Sequence, residues 1–409
     1  MNEIKILIVG ANFDNKGAQS MLFVTVDEIK KRIPNAHIYF GSPNKVDKNY
    51  LFDTIYYSGR EKQITLGKQV LKNIIDSFCR DFIKFILRKN NNFCKYMELK
   101  KLLEKTDLII DISGFSIGNK WPISVQEEYL DNIRLAKKFN IPMILMPQSF
   151  GPFDYSDNHS LILSEIKELF AYPLCIYARE EEGYASLIND FNLTNVVLST
   201  DLVLQNTGID IHNILFNTKK FNLPQVYTKN NVGIVPNYQC FSHGNKKLIM
   251  HMYEVTIKKL IKLGYNVYIF RHSKEDITAC REIFEQNKNK NVFLIENDFS
   301  CFEFDEWVNN FDFIIASRYH SAVHSYKKNI PCILYGWAMK YKELAINVDL
   351  ESVYVDITKN VDDKQLEVLL ESLSNNLIEH KKRIASKMVK IQEKNCFDKL
   401  EKFISNKNR

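Results

Sequence analysis

Residues 311–341, FDFIIASRYHSAVHSYKKNIPCILYGWAMKY, predict a strand, a helix and a second strand in succession. The apolar run Phe311–Ala316 is typical of a buried parallel strand. Ser317 is predicted to cap the helix that follows. That helix is expected at Ala322–Lys328 and to end near Asn329, since asparagine tolerates the left-handed turn that ends many helices. Pro331–Tyr335 is expected to be the next strand, so the stretch predicts a β-α-β unit.

The two strand ends of this unit carry groups suited to an anion. Arg318 and His320 follow the first strand, and Lys340 follows the second. Ligands of open α/β sheets bind at the carboxyl ends of strands. Helix N-terminal amides and a fixed guanidinium together favour an anion. The residues therefore predict an anion site that contains a proton-transfer group. The alternative is a structural arginine ion pair beside a hydrogen-bonded core histidine.

A second histidine competes with His320 for the proton-transfer role. His324 follows it by one helical turn and would share its face. The sequence favours His320 because it lies at the sheet edge, but it does not settle which of the two is the acid or base.

Length and composition indicate a globular chain of two domains. The 409 residues exceed one ordinary core, and no apolar run approaches the roughly 18 residues of a membrane span. The N-terminal MNEIKILIVG is predicted to be a first strand and not a signal peptide. Eight cysteines without a C-x-x-C pair favour reduced thiols in a cytoplasmic protein and predict neither zinc nor disulfides. The net charge of +6 suits an anionic small substrate or a membrane surface, and does not by itself imply nucleic acid.

Alternating strand and helix patterns predict two Rossmann-like domains with a cleft between them. The first is expected at residues 1–210, a linker at 211–230, the second domain at 231–360 and C-terminal helices at 361–409. Most predicted strands end in a polar loop, and Pro147–Pro152 is predicted to be such a turn. Two domains with facing carboxyl edges resemble the GT-B glycosyltransferases.

Residues 68–89 form a basic amphipathic segment, whose apolar pattern begins at Leu71. Its apolar residues recur every three to four positions, between several lysines and arginines. Such a helix can lie on an anionic membrane, which would place the protein at the inner face. The simpler interpretation is a helix docked on the domain with a solvated basic face.

Six short motifs together resemble one family, the polysaccharide pyruvyl transferases. They are G-A-N-F-D-N-K-G-A-Q (10–19), D-I-S-G-F (111–115), Q-S-F-G-P-F (148–153), A-R-E (178–180), S-T-D (199–201) and S-R-Y-H-S-A-V-H-S (317–325). They keep the family's order across about residues 4 to 345, and a lysine follows Trp337. Ala18 departs from the pattern, because many relatives have Asp there.

The resemblance implies transfer of a pyruvyl group from phosphoenolpyruvate to a sugar, often as a cyclic ketal. On this basis His320 is expected to be the acid or base, and Arg318 to act with it. The residues expected to bind the donor are Arg179, Arg318, Tyr319 and Lys340. The residues expected to face the acceptor sugar are Asn15, Asp111 and Gln148. Neither a metal nor a cofactor beyond the donor substrate is expected, and the partner would be a free or lipid-linked glycan of a capsule, exopolysaccharide or cell wall.

Two other functions stay open. A GT-B glycosyltransferase that uses a nucleotide sugar would have the same fold, with Glu343 as a candidate for the ribose. A non-catalytic glycan-binding protein is the third interpretation, which the pairing of Arg318 with His320 at a strand end disfavours.

Overall fold

The computed structural model describes residues 3–46, 49–68, 92–155, 160–218 and 220–400. Two parallel sheets, each covered by helices, form its two halves. The segment expected to form the basic helix falls almost wholly outside the described residues. Lys68, at its start, pairs through Nζ with Asp131 Oδ1 at 2.6 Å.

The first sheet has the order β3-β2-β1-β4-β6-β7-β8, with β5 beside β6. Its strands are β1 Ile4–Val9, β2 Ala36–Ser42, β3 Asp53–Tyr56, β4 Leu108–Asp111, β5 Phe115–Ile117, β6 Met143–Phe150, β7 Cys175–Ala178 and β8 Val196–Leu198. Its helices are α1 Lys16–Arg32, α2 Gly59–Leu66, α3 Asn92–Leu103, α4 Ile123–Lys138, α5 Ser160–Phe170, α6 Glu181–Asn189 and α7 Leu202–Gln205.

The second sheet has the order β11-β10-β9-β12-β13-β14. Its strands are β9 Asn231–Val235, β10 Asn266–Phe270, β11 Val292–Ile295, β12 Phe313–Ala316, β13 Cys332–Gly336 and β14 Tyr354–Asp356. The helices from here to the C-terminus are α8 Cys240–His243, α9 Lys246–Lys262, α10 Ile277–Gln286, α11 Cys301–Trp307, α12 Tyr319–Lys327, α13 Met339–Asn347, α14 Asp363–Asn375 and α15 Leu377–Glu393.

Strand β1 shows why these sequences fold as buried parallel strands. Ile6 and Ile8 pack into the core on one face, and Leu7 and Val9 pack into a separate core on the other. A strand that is covered on both faces gains from apolar residues at successive positions, which is the pattern of ILIV at residues 6–9.

A hydrophobic core continues from the first domain into the second. Phe23 of α1 stacks on Phe302 of α11 with ring centres 4.9 Å apart and planes 8° from parallel. The residues after the last strand of the first domain also stay attached to it, since Asp27 Oδ1 accepts hydrogen bonds from Asp210 N and Asn213 Nδ2.

The C-terminal segment returns to the first domain after α15. The amide of Cys396 donates to Gln205 Oε1 at 2.8 Å, and Tyr177 Oη donates to the carbonyl of Cys396 at 2.9 Å. Phe397 and Leu400 are fully buried there.

Three local predictions around the site are wrong. Helix α12 begins at Tyr319, three residues before the expected start, because Arg318 and not Ser317 is the N-cap. The hydroxyl of Ser317 is instead 2.7 Å from Tyr253 Oη. The turn expected at Pro147–Pro152 is mostly strand, since β6 runs to Phe150 beside β5 and β7. The left-handed conformation expected of Asn329 is confirmed by its φ of 58°.

Candidate active site

Both sheets reverse their strand order at a point that faces the other domain. Strand β1 lies between β2 and β4, and β9 lies between β10 and β12. Loops at such reversals leave a crevice at the carboxyl edge, where ligands of open α/β sheets bind. The loops after β1 and β4 belong to the first crevice, and those after β9 and β12 belong to the second.

His320 is the central residue of this site. It lies in the first turn of α12 with 14% of its side chain exposed, and its Nε2 is 3.7 Å from Asp201 Oδ2. This nitrogen is buried without a hydrogen-bond partner among the described residues. Burial lowers the pKa of His320 well below its usual value, and the charges of Arg179, His324 and Lys340 lower it further. The imidazole is therefore neutral near pH 7 in the free protein.

Gly17 in the first turn of α1 makes room for this imidazole. A Cβ atom at position 17 would lie 2.1 Å from His320 Nδ1. The chain approaches so closely only because glycine has no side chain. The glycine of the first loop therefore positions a histidine of the second domain.

Arg179 joins the two domains from the end of β7. It donates to Ser149 Oγ at 2.8 Å, to Glu180 Oε1 at 2.8 Å and to Asp201 Oδ2 at 3.1 Å. Its guanidinium carbon lies 4.5 Å from the ring centre of Tyr319. Arg179 and Tyr319 thus form a cation–π contact at the base of the cleft, beside His320.

Arg318 is held by carboxylates of its own domain. Its Nε donates to Asp276 Oδ2 at 2.8 Å, and Nη2 donates to Asp276 Oδ1 at 2.6 Å and to Glu275. Asp276 is fully buried. The structural ion pair considered from the sequence is therefore present, and Nη1 makes no hydrogen bond within the described ranges. The charge of Arg318 nevertheless reaches the site, because it contributes to the lowered pKa of Lys340.

Lys340 is the site cation without a carboxylate partner. Its Nζ lies 5.6 Å from the ring centre of Phe115 and 5.7 Å from those of Tyr319 and Tyr341. It forms no hydrogen bond or ion pair within the part of the chain that the structure describes. Burial lowers the pKa of Lys340 to about 8, with Arg179 as the next cause. A half-buried ammonium without a counter-ion is suited to bind an anionic ligand.

His324 differs from His320 because both its ring nitrogens are occupied. Nδ1 is 2.9 Å from Asp305 Oδ1, and Nε2 is 3.0 Å from Ser20 Oγ of α1. His324 thus links α12 to the first domain. Of the two histidines, only His320 has a ring nitrogen without a hydrogen-bond partner among the described residues.

The three residues expected to face the acceptor lie in the first domain. Asn15 is exposed and caps α1, since its side chain accepts from Gly17 N. Asp111 is buried and accepts from Ser113 N and Asn132 Nδ2, and burial raises its pKa. Gln148 is also buried; its Oε1 accepts from Tyr129 Oη, and its Nε2 donates to the carbonyl of Met146. Only Asn15 is open to solvent in this conformation.

Three residues near the site were not predicted. Asp276 holds Arg318, and its only sequence signal is the acidic pair that follows Arg271-His272. Lys120 follows the Gly-rich loop after β4 and lowers the pKa of both Lys340 and His243. His243 stacks on Trp337, and no motif marks it. Within the described ranges no group of three or more His, Cys, Asp or Glu residues is arranged to hold a metal ion. None of the described helices is long and apolar enough to span a membrane.

Solved structures similar to this chain have the GT-B fold, which confirms the predicted fold class. The glycotransferase of kitacinnamycin has a TM-score of 0.55 at 10% identity, with 99% of both chains covered. A mutant of Staphylococcus aureus TarM, in complex with fondaparinux, alpha-GlcNAc-glycerol and UDP, has a TM-score of 0.55 at 12% identity, covering 98% of this chain and 99% of that one. An E. coli structure described as trehalose-6-phosphate bound with UDP-2-fluoro glucose has a TM-score of 0.52 at 11% identity, with 98% of both chains covered. At these identities the likeness shows the fold alone.

The family is shown by a different comparison. No curated protein matches the chain. A family model described as polysaccharide pyruvyl transferase matches residues 15–338. The match contains Gly17, Arg179, Arg318 and His320, and it ends just before Lys340. It covers most of the chain, so this protein belongs to the polysaccharide pyruvyl transferase family.

Proposed function

We propose that the chain transfers the pyruvyl group of phosphoenolpyruvate to hydroxyls of a sugar in a surface polysaccharide or its precursor, forming a ketal. The observation that carries this proposal is the environment of His320. Its unpartnered Nε2 lies beside Arg179 of the first domain, and the charge of Lys340 of the second reaches it. A proton-transfer group among fixed cations suits a small, strongly anionic donor.

The two negatively charged groups of the donor indicate which cations of the site bind it. Phosphoenolpyruvate carries a phosphate and a carboxylate. Arg179 and Arg318 already have carboxylate partners, so their remaining donors orient the ligand more than they neutralise it. Lys340 has no such partner within the described residues, so it gains most from the arrival of an anion. We assign Lys340, Arg179, Arg318 and Tyr319 to the donor.

His320 is neutral in the free protein, and the donor changes that. The negative charge of phosphoenolpyruvate offsets the nearby cations and raises the pKa of His320. The protonated imidazole then delivers its proton to the methylene carbon of the donor. A sugar hydroxyl adds to C2 and gives up its proton to the now neutral His320. The C2–O bond to phosphate breaks, inorganic phosphate leaves, and a second hydroxyl closes the ketal while its proton passes to phosphate.

The acceptor-binding residues and the cellular location are also proposals. Asn15, Asp111 and Gln148 are proposed for the acceptor side, with Asn15 as the member that a sugar reaches without rearrangement. No cofactor beyond the donor substrate enters the proposed reaction. A cytoplasmic location at the inner membrane face, with contact through residues 68–89, stays a prediction, because residues 69–91 lie outside the described part of the chain.

Calorimetric titration tests the donor assignment. Wild-type protein is expected to bind phosphoenolpyruvate saturably, and Lys340→Gln to weaken that binding by about tenfold, the size of one lost charge-assisted contact. His320→Gln is expected to bind the donor but to release no phosphate from it when acceptor is present.

The control and the rival function are tested in the same titration. Lys290→Gln makes the same charge change at an exposed residue beside the amino end of β11, away from the carboxyl edge, and should bind as wild type. UDP-sugars are titrated in parallel. Binding of a UDP-sugar without any binding of phosphoenolpyruvate would overturn the proposal in favour of the glycosyltransferase.

A further inference from the structure

A second cluster of aromatic and basic side chains lies outward from His320. On the second domain, the rings of His243 and Trp337 stack with centres 4.7 Å apart and planes 11° from parallel. Trp337 in turn lies 5.2 Å from Tyr341. On the first domain, the rings of Phe115 and Trp121 meet edge to face at 5.6 Å. Lys340 joins the two sides, because its Nζ lies over both Phe115 and Tyr341.

This cluster carries positive charge that the protein does not neutralise. Lys120 is exposed and forms no ion pair or hydrogen bond within the described ranges. Burial lowers the pKa of His243, and the charges of Lys120 and Lys340 lower it further. Because the charges of Lys120 and Lys340 disfavour the protonated form of His243, an anion bound in this cluster offsets those charges and raises the pKa of His243.

The cluster is exposed to solvent, whereas the position proposed for the donor, beside His320, is buried. Trp121 is 36% exposed, and Lys120 and His243 are exposed as well. His320 is nearly buried, and Lys340 Nζ lies over the ring of Tyr319, which contacts the ring of His320. Lys340 therefore lies between an inner position beside His320 and an outer position beside Lys120.

We propose that Lys120, His243 and Trp337 form a subsite for an anionic group, phosphate or carboxylate, that is attached to the acceptor sugar. Phe115 and Trp121 bound this outer subsite on the first domain, where the apolar face of a sugar ring packs on an aromatic ring. Lys120 binds the anion by a charge-assisted hydrogen bond, and the imidazole of His243 donates a second hydrogen bond to it. The inference rests on the proposed function and names its acceptor class: a sugar that is itself negatively charged.

The test uses two simple anions on the full-length protein saturated with phosphoenolpyruvate. Inorganic pyrophosphate represents a phosphate-linked sugar, and glucuronate represents a sugar acid. At least one is expected to bind beside the donor. Lys120→Gln is expected to raise its dissociation constant about tenfold and to leave the affinity for phosphoenolpyruvate unchanged. His243→Gln should act in the same direction, and Lys290→Gln should have no effect.

Three other results would contradict the proposed subsite. Binding of both anions only by displacement of phosphoenolpyruvate would assign these cations to the donor. Absence of binding, or binding that Lys120→Gln leaves intact, would also overturn the inference. Failure of the wild type to bind phosphoenolpyruvate is a separate outcome that refutes the proposed function, and pyrophosphate titrated into the donor-free protein then still tests the subsite.

Discussion

His320 and His324 are one helical turn apart, yet their surroundings differ completely. His324 has partners at both ring nitrogens, Asp305 and Ser20. His320 has a buried Nε2 without any within the described residues. A buried nitrogen without a partner costs free energy in the folded state. A ligand that supplies the missing partner removes this cost, which supports His320 as the group that acts on the donor.

The first prediction is that His320 takes up a proton when phosphoenolpyruvate binds. Burial and nearby cations keep its pKa low in the free protein, so a bound anion raises the pKa and the imidazole gains a proton. Calorimetry at pH 7 in buffers of different ionisation enthalpy should show that wild type takes up more protons than His320→Gln when phosphoenolpyruvate binds. Equal uptake by the two proteins would contradict it.

The second prediction is that the affinity for phosphoenolpyruvate falls at alkaline pH. The pKa of Lys340 is about 8, so its ammonium is charged at pH 7 and mostly neutral at pH 9. Affinity for phosphoenolpyruvate should therefore fall by about tenfold over this range, since linkage removes up to one decade per pH unit above the pKa. Lys340→Arg keeps its charge and should lose less affinity over this range, retaining only the part of the decline that proton uptake by His320 causes. A decline of the same size in Lys340→Arg would assign the effect to another group.

At the scale of elements, the site is made by the first turns of two helices. Helix α1 of the first domain and α12 of the second meet where Gly17 faces His320. Lys16 in the same turn pairs with Asp298 of the second domain at 2.8 Å. The loop after β1 therefore holds the opposite domain and its histidine in place, in addition to any contact with substrate.

Gly17→Ala tests this contact. The added methyl would lie 2.1 Å from His320 Nδ1, so the imidazole must move. A displacement of about 1 Å is expected to lower the rate of phosphate release with acceptor by about 100-fold. Denaturation should show a folded protein, because alanine is the better helix former.

Gly208→Ala is the matched control, since a Cβ atom there meets nothing within 4 Å. It should leave the rate unchanged. A normal rate in Gly17→Ala would show that the imidazole tolerates the shift and would remove the positioning role of this glycine.

Loss of the ion pair between Arg318 and Asp276 should destabilise the protein. Arg318→Ala leaves Asp276 buried without its cation, which should lower the free energy of unfolding by about 3–5 kcal/mol. Arg281→Ala removes an exposed arginine from Glu296 and should cost less than about 1 kcal/mol. Denaturant unfolding compares the two variants, and equal losses would mean that the Asp276 pair is no stronger than a surface pair.

At the scale of the whole molecule, much could be predicted from the sequence because strands of a doubly wound sheet are continuous apolar runs. The strands predicted at Phe311–Ala316 and Pro331–Tyr335 are present as β12 and β13, with ends that differ by one or two residues at most. Short elements such as β3 and β14 were missed, since three or four residues carry too little periodicity to distinguish. The ends of β6 and α12 were misplaced because partners distant in sequence determine them.

The candidate site was predictable to the extent that strand ends share one edge. Arg179, Tyr319, His320 and Lys340 do meet in the structure. What the sequence could not show is which arginine already has a buried carboxylate. Asp276 lies 42 residues before Arg318, and nothing in either local pattern marks the pair.

The return of the chain to the first domain has a consequence for how the protein can be divided. The polypeptide leaves the first domain near Asn217, whose amide donates to Asn49 Oδ1, and returns to it at Cys396, with Phe397 and Leu400 buried beyond that point. A break after Asn217 would therefore yield an obligate heterodimer and not two independent pieces. Fragments 1–217 and 218–409 should co-purify when co-expressed, and removal of residues 394–409 should weaken their association, because the contacts of Lys16 and Phe23 with the second domain remain. The segment around Cys396 thus connects the two domains a second time. A circularly permuted or split form of the protein must therefore keep this segment.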